Sequence, residues 1–264
     1  MKKISKKSKE QKLKVGFFGV AGCAGCLLTV IYEDTFKKLL SLFDIQSFPL
    51  IKENTYKGKF DIVFIEGTVV FDKDILLLNE LRQRSKYVVA LGSCACFGGV
   101  PSIKNFHDSE KVMKFVYPKI DHLKSEKPTP IAKHIKVDFF LPQCPPSKEE
   151  ILEFLTCILE SKTFRNNSNP ICLECRKLGN PCLLEEGEIC LGPVTIGGCS
   201  ALCPSNSVGC YGCRGPTKDA NYPAFIETLK TKGHNKPEIE DKMQTFAGLD
   251  FMEDEEEVTT WLEK

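Results

Sequence analysis

The chain has 264 residues, of which 42% are hydrophobic and 27% charged, and its formal net charge is +1. This length allows a sizeable core, and the near-zero charge gives no reason to expect a nucleic-acid or acidic partner. No stretch approaches the about 20 consecutive apolar residues that a membrane-spanning helix needs, so we predict no association with a membrane.

The first part of the chain alternates strand-like and helix-like patterns. Short apolar runs predict strands at residues 15–20, 45–50, 60–66, 87–91 and 135–141. Apolar residues recur at helical spacing after Ala24 and around residues 75–81. Ser147 and Glu150 form a capping box for a helix that ends near Ser161. Strands that alternate with helices form a parallel sheet covered on both faces, so we predict an α/β fold of flavodoxin-like type.

The domain organisation follows from changes of composition along the chain. We predict a flexible basic N-terminus at 1–13, a flavodoxin-like domain at 14–162, an Asn- and Ser-rich linker at 163–170 and a C-terminal domain at 171–264. The C-terminal domain has eight cysteines between Cys172 and Cys213 and little periodicity. Such a segment is expected to fold around bound metal as a small irregular domain. Short helices are predicted near 223–232 and 237–246.

The fourteen cysteines are the unusual feature of the composition. A disulfide scaffold is disfavoured, because such scaffolds are short and secreted, whereas this chain is long enough to form a core without crosslinks. The apolar run that ends at Cys23 imitates a lipoprotein export signal, but it is short and no twin-arginine pair precedes it. We therefore predict a cytoplasmic protein whose clustered cysteines bind metal.

Four cysteines follow predicted strands, at the edge where ligands bind to an open parallel sheet. Cys23 and Cys26 follow the first strand, Cys94 follows the fourth and Cys144 follows the fifth. Four cysteines are the ligands typical of a 4Fe–4S cluster. The helices predicted after Cys23 and Cys144 would direct their positive N-terminal dipoles at this anionic group.

Two further cysteines of this domain are predicted not to be ligands. Cys157 lies in the helix before the linker and is expected to be a small apolar core residue. Cys96 is two residues from Cys94 in the same turn, and we expect it only to support the site, because the residue that leaves the strand first points at it. The glycine-rich turn at 19–25 could be a phosphate-binding loop, but it matches neither GxGxxG nor the P-loop pattern.

The C-terminal domain contains two more sets of four cysteines. The sets are Cys172, Cys175, Cys182 and Cys190, and Cys199, Cys203, Cys210 and Cys213. Two structural zinc sites are the alternative, since paired CxxC motifs also bind zinc. A zinc ribbon has two CxxC pairs per site and each set here has one, so the spacing favours iron–sulfur clusters but leaves zinc open.

The combined motifs resemble those of nickel–iron hydrogenase small subunits. The shared motifs are Cys23-Ala-Gly-Cys26, Ile65-Glu66-Gly67, Gly92-Ser93-Cys94, Cys144-Pro145-Pro146 and the eight-cysteine module. The module, from Cys172-Leu-Glu-Cys175 to Cys210-Tyr-Gly-Cys213, is similar to that of the delta subunit of cytoplasmic, NAD(P)-linked sulfhydrogenases. The resemblance extends over nearly the whole chain and implies iron–sulfur clusters in place of zinc.

The resemblance implies three 4Fe–4S clusters, each with its own ligand set. A proximal cluster, facing the nickel–iron site of a large subunit, would be bound by Cys23, Cys26, Cys94 and Cys144. A distal cluster would be bound by Cys172, Cys175, Cys182 and Cys190. A medial cluster would be bound by Cys199, Cys203, Cys210 and Cys213. Exported members of the family have a histidine in place of Cys172 and no cysteine in place of Cys203, so this chain departs from them toward all-cysteine ligation.

The resemblance also implies the chain's role, which is electron transfer within an oxidoreductase. The chain would have no catalytic metal centre, because its three CxxC pairs are all assigned to clusters and none is left for nickel. Electrons would pass between the large subunit and flavin- and NAD(P)-binding or further iron–sulfur subunits. Glu66, at the end of the third strand, would tune the proximal cluster or carry protons, unless it only caps a helix or forms a salt bridge.

Three alternative functions are distinguishable by simple observations. The small subunit of a methyl-viologen-type hydrogenase, feeding a heterodisulfide reductase, has nearly the same motif spacing and differs in its gene neighbours. A zinc-stabilised scaffold protein would be colourless and contain no sulfide. A flavodoxin-like carrier would bind FMN at the same edge of the sheet, but the four cysteines there would then be unexplained.

Overall fold

The computed structural model describes residues 12–52, 56–117, 119–120 and 126–252, apart from the side chains of 33–35. The chain divides into two compact units. The first extends to Cys96 and includes Pro130–Asn166, and the second contains Phe97–Thr129 and the residues from Asn167 onward. The segment Phe97–Thr129, which the sequence interpretation kept in the flavodoxin-like domain, is thus grouped with the eight-cysteine module. Most of the predicted N-terminal tail lies outside the described residues.

A parallel sheet forms the centre of the first unit. Its strands are β1 (Leu13–Gly19), β2 (Phe43–Ser47), β3 (Phe60–Glu66), β4 (Ser85–Leu91) and β5 (Phe139–Leu141). Their order in the sheet is β2-β1-β3-β4-β5, and all neighbouring strands run parallel. This order is the flavodoxin-like one, with its switch point between β1 and β3, and it confirms the predicted α/β fold.

Helices connect the strands and complete the second unit. In the described residues they are α1 (Gly25–Val30), α2 (Glu33–Leu42), α3 (Asp72–Arg84), α4 (Gly92–Phe97), α5 (Ser109–Val116), α6 (Lys148–Leu159), α7 (Ile171–Lys177), α8 (Tyr222–Thr231) and α9 (Lys236–Phe251). Short 3-10 helices cover Val100–Phe106, Ile131–Lys133, Gly192–Val194 and Pro204–Asn206. The hydroxyl of Ser147 accepts a hydrogen bond from the Glu150 N–H (3.0 Å), so Ser147 caps α6 at the predicted position.

Two predicted elements differ from the structure for local reasons. The helical pattern predicted after Ala24 is divided into two helices, because Tyr32 has an extended backbone (φ −62°, ψ 136°) between α1 and α2. The fifth strand begins four residues later than expected. The Asp138 carboxylate there accepts hydrogen bonds from Arg82 and from the Val88 N–H (2.9 Å), so the Val88 N–H binds a side chain and not a backbone carbonyl.

Aromatic side chains fill the core of the first unit. Phe17 on β1 stacks on Phe48 and Phe64, with ring centroids 4.6 and 4.8 Å apart. Phe154 on α6 meets Phe64 edge to face and also contacts Phe164. Phe17 lies on β1, the strand that precedes Cys23, so the packed core fixes the strand that leads into the first cysteine turn.

The second unit also has a hydrophobic core, which its weak periodicity did not predict. Helices α8 and α9 contribute fully buried side chains, among them Ile226, Ile239 and Met243. The cysteine-rich segment contributes Leu191 and Val194 to the same cluster. The eight-cysteine module therefore packs on helices and does not depend on metal alone for its order.

No helix within the described residues is both long enough and apolar enough to cross a membrane.

Candidate metal centres

The first cysteine set lies beyond the carboxyl ends of the strands, as predicted. Cys23 and Cys26 follow β1, Cys94 lies on α4 directly after β4, and Cys144 follows β5. The pKa of the Cys26 thiol is strongly raised, first by burial and then by the negative charges of Glu66, Cys94, Cys144 and Cys23. Since only nearby charges act in this way, the structure brings the four sulfurs of this set together.

Two glycines with positive φ allow the backbone to approach this set closely. At Gly92 (φ +85°) a Cβ would lie 2.3 Å from the sulfur of Cys26. At Gly67 (φ +91°) a Cβ would lie 2.8 Å from the carbonyl oxygen of Ala21. Each position therefore requires glycine for its backbone conformation and for the space that a side chain would occupy.

Glu66 is buried, with 3% of its surface exposed, and it binds the first cysteine turn. Its carboxylate accepts hydrogen bonds from the N–H groups of Cys26 (3.1 Å) and Leu27 (3.3 Å) at the start of α1. Burial raises the pKa of this carboxyl, while the backbone hydrogen bonds oppose the rise. The helix-capping role considered from the sequence is therefore present, and it fixes the turn that carries Cys26.

The two cysteines expected outside the first set have other contacts in the structure. Cys96 is buried, and its thiol donates a hydrogen bond to the Ala90 carbonyl on β4 (3.6 Å). Cys157 on α6 packs against the aromatic core. No cysteine of the chain forms a disulfide, and all fourteen lie in the described residues.

The set from Cys172 to Cys190 lies in the second unit, with Cys172 and Cys175 on α7. Burial, followed by the charges of Cys190, Cys175 and Cys182, raises the pKa of Cys172 to about 11. A Cβ at Gly192 would lie 3.3 and 3.4 Å from the sulfurs of Cys172 and Cys190. These four thiols are therefore close together, with Gly192 beside two of them.

The set from Cys199 to Cys213 contains two pairs of neighbouring thiols, Cys199 with Cys203 and Cys210 with Cys213, and both pairs lie near Cys190. Burial, followed by the charge of Cys199, raises the pKa of Cys203, and the Cys210 pKa is likewise raised by burial and by the charges of Cys190 and Cys213. The Cys210 N–H donates a hydrogen bond to the Cys190 sulfur at 3.2 Å. The second and third sets are therefore neighbours within one unit.

Three charged residues near these cysteines were not singled out from the sequence. Arg214 is completely buried, Glu174 lies between two cysteines of α7, and the ammonium of Lys242 lies 3.2 Å from the ring centroid of Tyr211. The available signal was position: Arg214 directly follows Cys213, and Glu174 is the third residue of a CxxC motif. The burial of Arg214 depends on tertiary packing, which the neighbouring sequence does not reveal.

The residues of the three sets fit iron–sulfur clusters. The thiols of the first two sets lie together in fours and those of the third in two pairs. Backbone N–H groups donate to sulfur, as from Gly25 to Cys23 and from Gly212 to Cys210, both at 3.4 Å. Glycines keep side chains away from the sulfurs. Within the described parts of the chain, no three Cys, His, Asp or Glu side chains are close enough to share a single metal ion. A cluster of four irons needs wider spacing of its thiolates than one ion does.

Comparison with known proteins identifies the relatives of this chain. Residues 23–158 match the model of the family described as NADH ubiquinone oxidoreductase, 20 Kd subunit. The chain is 37% identical to the sulfhydrogenase 2 subunit delta of Pyrococcus furiosus, over 89% of this chain and 99% of that protein. It is 31% identical to a subunit of the F420-non-reducing hydrogenase vhu of Methanocaldococcus jannaschii, over 88% and 92% of the two chains.

A solved structure supports the same relationship. A chain of an NAD+-reducing [NiFe]-hydrogenase in the H2-reduced state is 28% identical, with a TM-score of 0.51 over 58% of this chain and 94% of that chain. Together with the sulfhydrogenase relative, which is matched over 99% of its length, this structure agrees with the resemblance drawn from the motifs. This chain belongs to the 20 Kd subunit family of NADH ubiquinone oxidoreductases and, within it, to the small subunits of hydrogenases of the sulfhydrogenase delta type.

Proposed function

We propose that this protein is the electron-transfer small subunit of a soluble nickel–iron hydrogenase and carries three 4Fe–4S clusters. The observation that supports it most is the convergence of Cys23, Cys26, Cys94 and Cys144 beyond the sheet. This is the edge at which open parallel sheets bind their ligands. Four thiolates supplied by separate segments suit a cluster, and the chain's family consists of oxidoreductase subunits.

The proposed ligand sets follow the three groups of cysteines. The proximal cluster is bound by Cys23, Cys26, Cys94 and Cys144, the distal cluster by Cys172, Cys175, Cys182 and Cys190, and the medial cluster by Cys199, Cys203, Cys210 and Cys213. Clusters of this type accept and release single electrons, and the chain sets their potentials through burial and hydrogen bonds to sulfur. The N–H groups of Cys210 and Gly212 are donors of this kind.

The proposed partners are a hydrogen-activating large subunit at the proximal set and a flavin- and NAD(P)-binding module at the other end of the relay. The name of the related structure, an NAD+-reducing hydrogenase, supports the second partner. A second candidate is the small subunit of an F420-non-reducing hydrogenase, which is favoured by 31% identity over most of the chain. The two candidates differ in the electron acceptor that the hydrogenase reduces. The cytoplasmic location of the protein stays a prediction.

Anaerobic purification of the complex tests the cluster content and the partners together. We expect about twelve iron and about twelve acid-labile sulfide per copy of this chain. A large subunit should co-purify, and the isolated small subunit should show no hydrogen uptake or evolution. Stoichiometric zinc without sulfide would exclude the proposal, and the identity of the co-purifying acceptor subunit distinguishes the two candidates.

The Cys203→Pro variant tests the ligand that separates this chain from exported family members. Three medial cysteines remain in the variant, so we expect a folded protein whose medial cluster converts to a 3Fe–4S form. Electron paramagnetic resonance of the oxidised protein would detect this form. Cys157→Pro would break α6, so Cys157→Ala is the suitable control, and it should leave the spectrum unchanged. An unaltered spectrum in Cys203→Pro would exclude Cys203 as a ligand.

A further inference from the structure

The loop that carries Cys199 is held on both sides by one carboxylate. Glu174 accepts a hydrogen bond from the Gly198 N–H through one oxygen and from the Ala201 N–H (3.2 Å) through the other. The Asn167 amide also donates to Glu174, at 3.1 Å. These two backbone groups flank Cys199, so the carboxylate fixes the conformation of the backbone that presents its sulfur.

A buried cation contacts the same loop from another direction. Arg214 is 0% exposed, and its Nε donates a hydrogen bond to the Gly197 carbonyl at 2.8 Å. A Cβ at Gly198 would lie 2.4 Å from the Arg214 guanidinium, and a Cβ at Gly197 would lie 2.8 Å from a Glu174 carboxylate oxygen. The glycine pair thus leaves the space through which both charged groups reach the loop.

We propose that Glu174 and Arg214 are positioning residues that hold Cys199 between opposite charges and together set the reduction potential of the medial cluster. This inference rests on the proposed function, in which Cys199 is a medial ligand. Glu174 also lies on α7 between Cys172 and Cys175, so one side chain links the distal and medial ligand loops.

The electrostatic argument gives the two charges opposite effects. A cluster becomes more negative on reduction, so a nearby guanidinium favours the reduced form and a nearby carboxylate disfavours it. The effect of the Arg214 guanidinium is strong, because a fully buried charge is poorly screened by water.

Conservative substitutions separate this role from a purely structural one. Glu174→Gln and Arg214→Met each remove one charge, and the double variant removes both. Lys218→Met is the matched control for Arg214→Met, because it removes a positive charge at an exposed position four residues further along. The measurements are iron and sulfide content and a redox titration of the purified complex followed by electron paramagnetic resonance.

We expect Glu174→Gln to raise the medial midpoint potential and Arg214→Met to lower it. Each change should be about tenfold in the reduction equilibrium, or about 59 mV for one electron. The double variant should return toward the wild-type value, and Lys218→Met should not change it. Shifts in the same direction, or no shift in variants with full iron content, would overturn the inference.

If Arg214→Met does not retain its iron, Arg214→Lys and Glu174→Gln provide the test. Arg214→Lys keeps the charge and should keep the wild-type midpoint, whereas Glu174→Gln should still raise it. An unshifted midpoint in Glu174→Gln overturns the inference. A wild-type complex with fewer than three 4Fe–4S clusters would instead overturn the proposed function, and the inference with it.

Discussion

Gly92→Ala is the substitution whose effect on the first cysteine set follows most directly from geometry. Gly92 has a φ of +85°, and an added Cβ would lie 2.3 Å from the sulfur of Cys26. An L-residue in the left-handed region costs about 1–2 kcal/mol. A methyl group forced into packed atoms costs about a further 1–3 kcal/mol. If the Cys26 side chain rotates away, the second cost falls, but its sulfur then leaves the ligand set.

Gly187→Ala supplies a control with the same backbone strain and no steric clash. Gly187 has a φ of +87°, and no atom lies within 4 Å of its added Cβ. We expect this control to lower the melting temperature by about 2–8 °C, at about 2–4 °C for each kcal/mol, and to keep all its iron. Gly92→Ala should lose about four of the about twelve irons per chain and melt at a lower temperature than the control.

The assay is iron and acid-labile sulfide analysis together with thermal unfolding of each anaerobically purified variant. The comparison separates backbone strain, which both variants share, from displacement of the Cys26 sulfur, which only Gly92→Ala causes. If Gly92→Ala keeps full iron and melts with Gly187→Ala, then Cys26 is not held against Gly92 as a cluster ligand.

Substitutions at four further positions have defined outcomes. Cys96→Ala should keep the wild-type iron content, whereas Cys94→Ala should lose the proximal cluster. Equal iron loss in both variants would show that Cys96 is also needed to bind that cluster. Asp138→Asn should lower the free energy of unfolding by about 1 kcal/mol, a small cost because the ion pair of Asp138 with Arg82 is partly exposed. An unchanged midpoint in a urea titration would contradict this. Asn235→Ala should cost about 1 kcal/mol through loss of the α9 cap, and Asn235→Asp, which keeps the acceptor, should be nearly neutral in the same titration.

The sheet and its cysteines were predictable because their signals are local. Each strand is a short apolar run, and the bounds of β3 agree with the predicted residues 60–66. Cysteines that directly follow such runs must lie at the carboxyl edge, whatever the details of packing. The position of Cys26, Cys94 and Cys144 near one another therefore follows from the order of elements along the chain.

Other features depend on contacts between distant residues and were not predictable in this way. The 3-10 helix Val100–Phe106 packs on α9, and Gly248 is needed where Phe106 approaches, so Phe97–Thr129 is grouped with the second unit. The burial of Arg214 likewise depends on the Gly197 carbonyl, which lies 17 residues before it. Neither contact leaves a periodic pattern in the sequence.

The two units position their cysteines by different means, and this has a consequence for metal binding. In the first unit, Cys23, Cys94 and Cys144 follow strands of a sheet whose core is packed with aromatic rings, among them Phe17 against Phe64. In the second unit, two cysteines lie on α7 and the others lie outside regular helices and strands, where Glu174 and backbone hydrogen bonds hold part of the chain and Leu191 belongs to a hydrophobic core. Removal of metal leaves thiols that repel one another when ionised, and the second unit has eight such thiols where the first cysteine set has four. The second unit should therefore lose order first when iron is removed, while the sheet of the first unit keeps its structure.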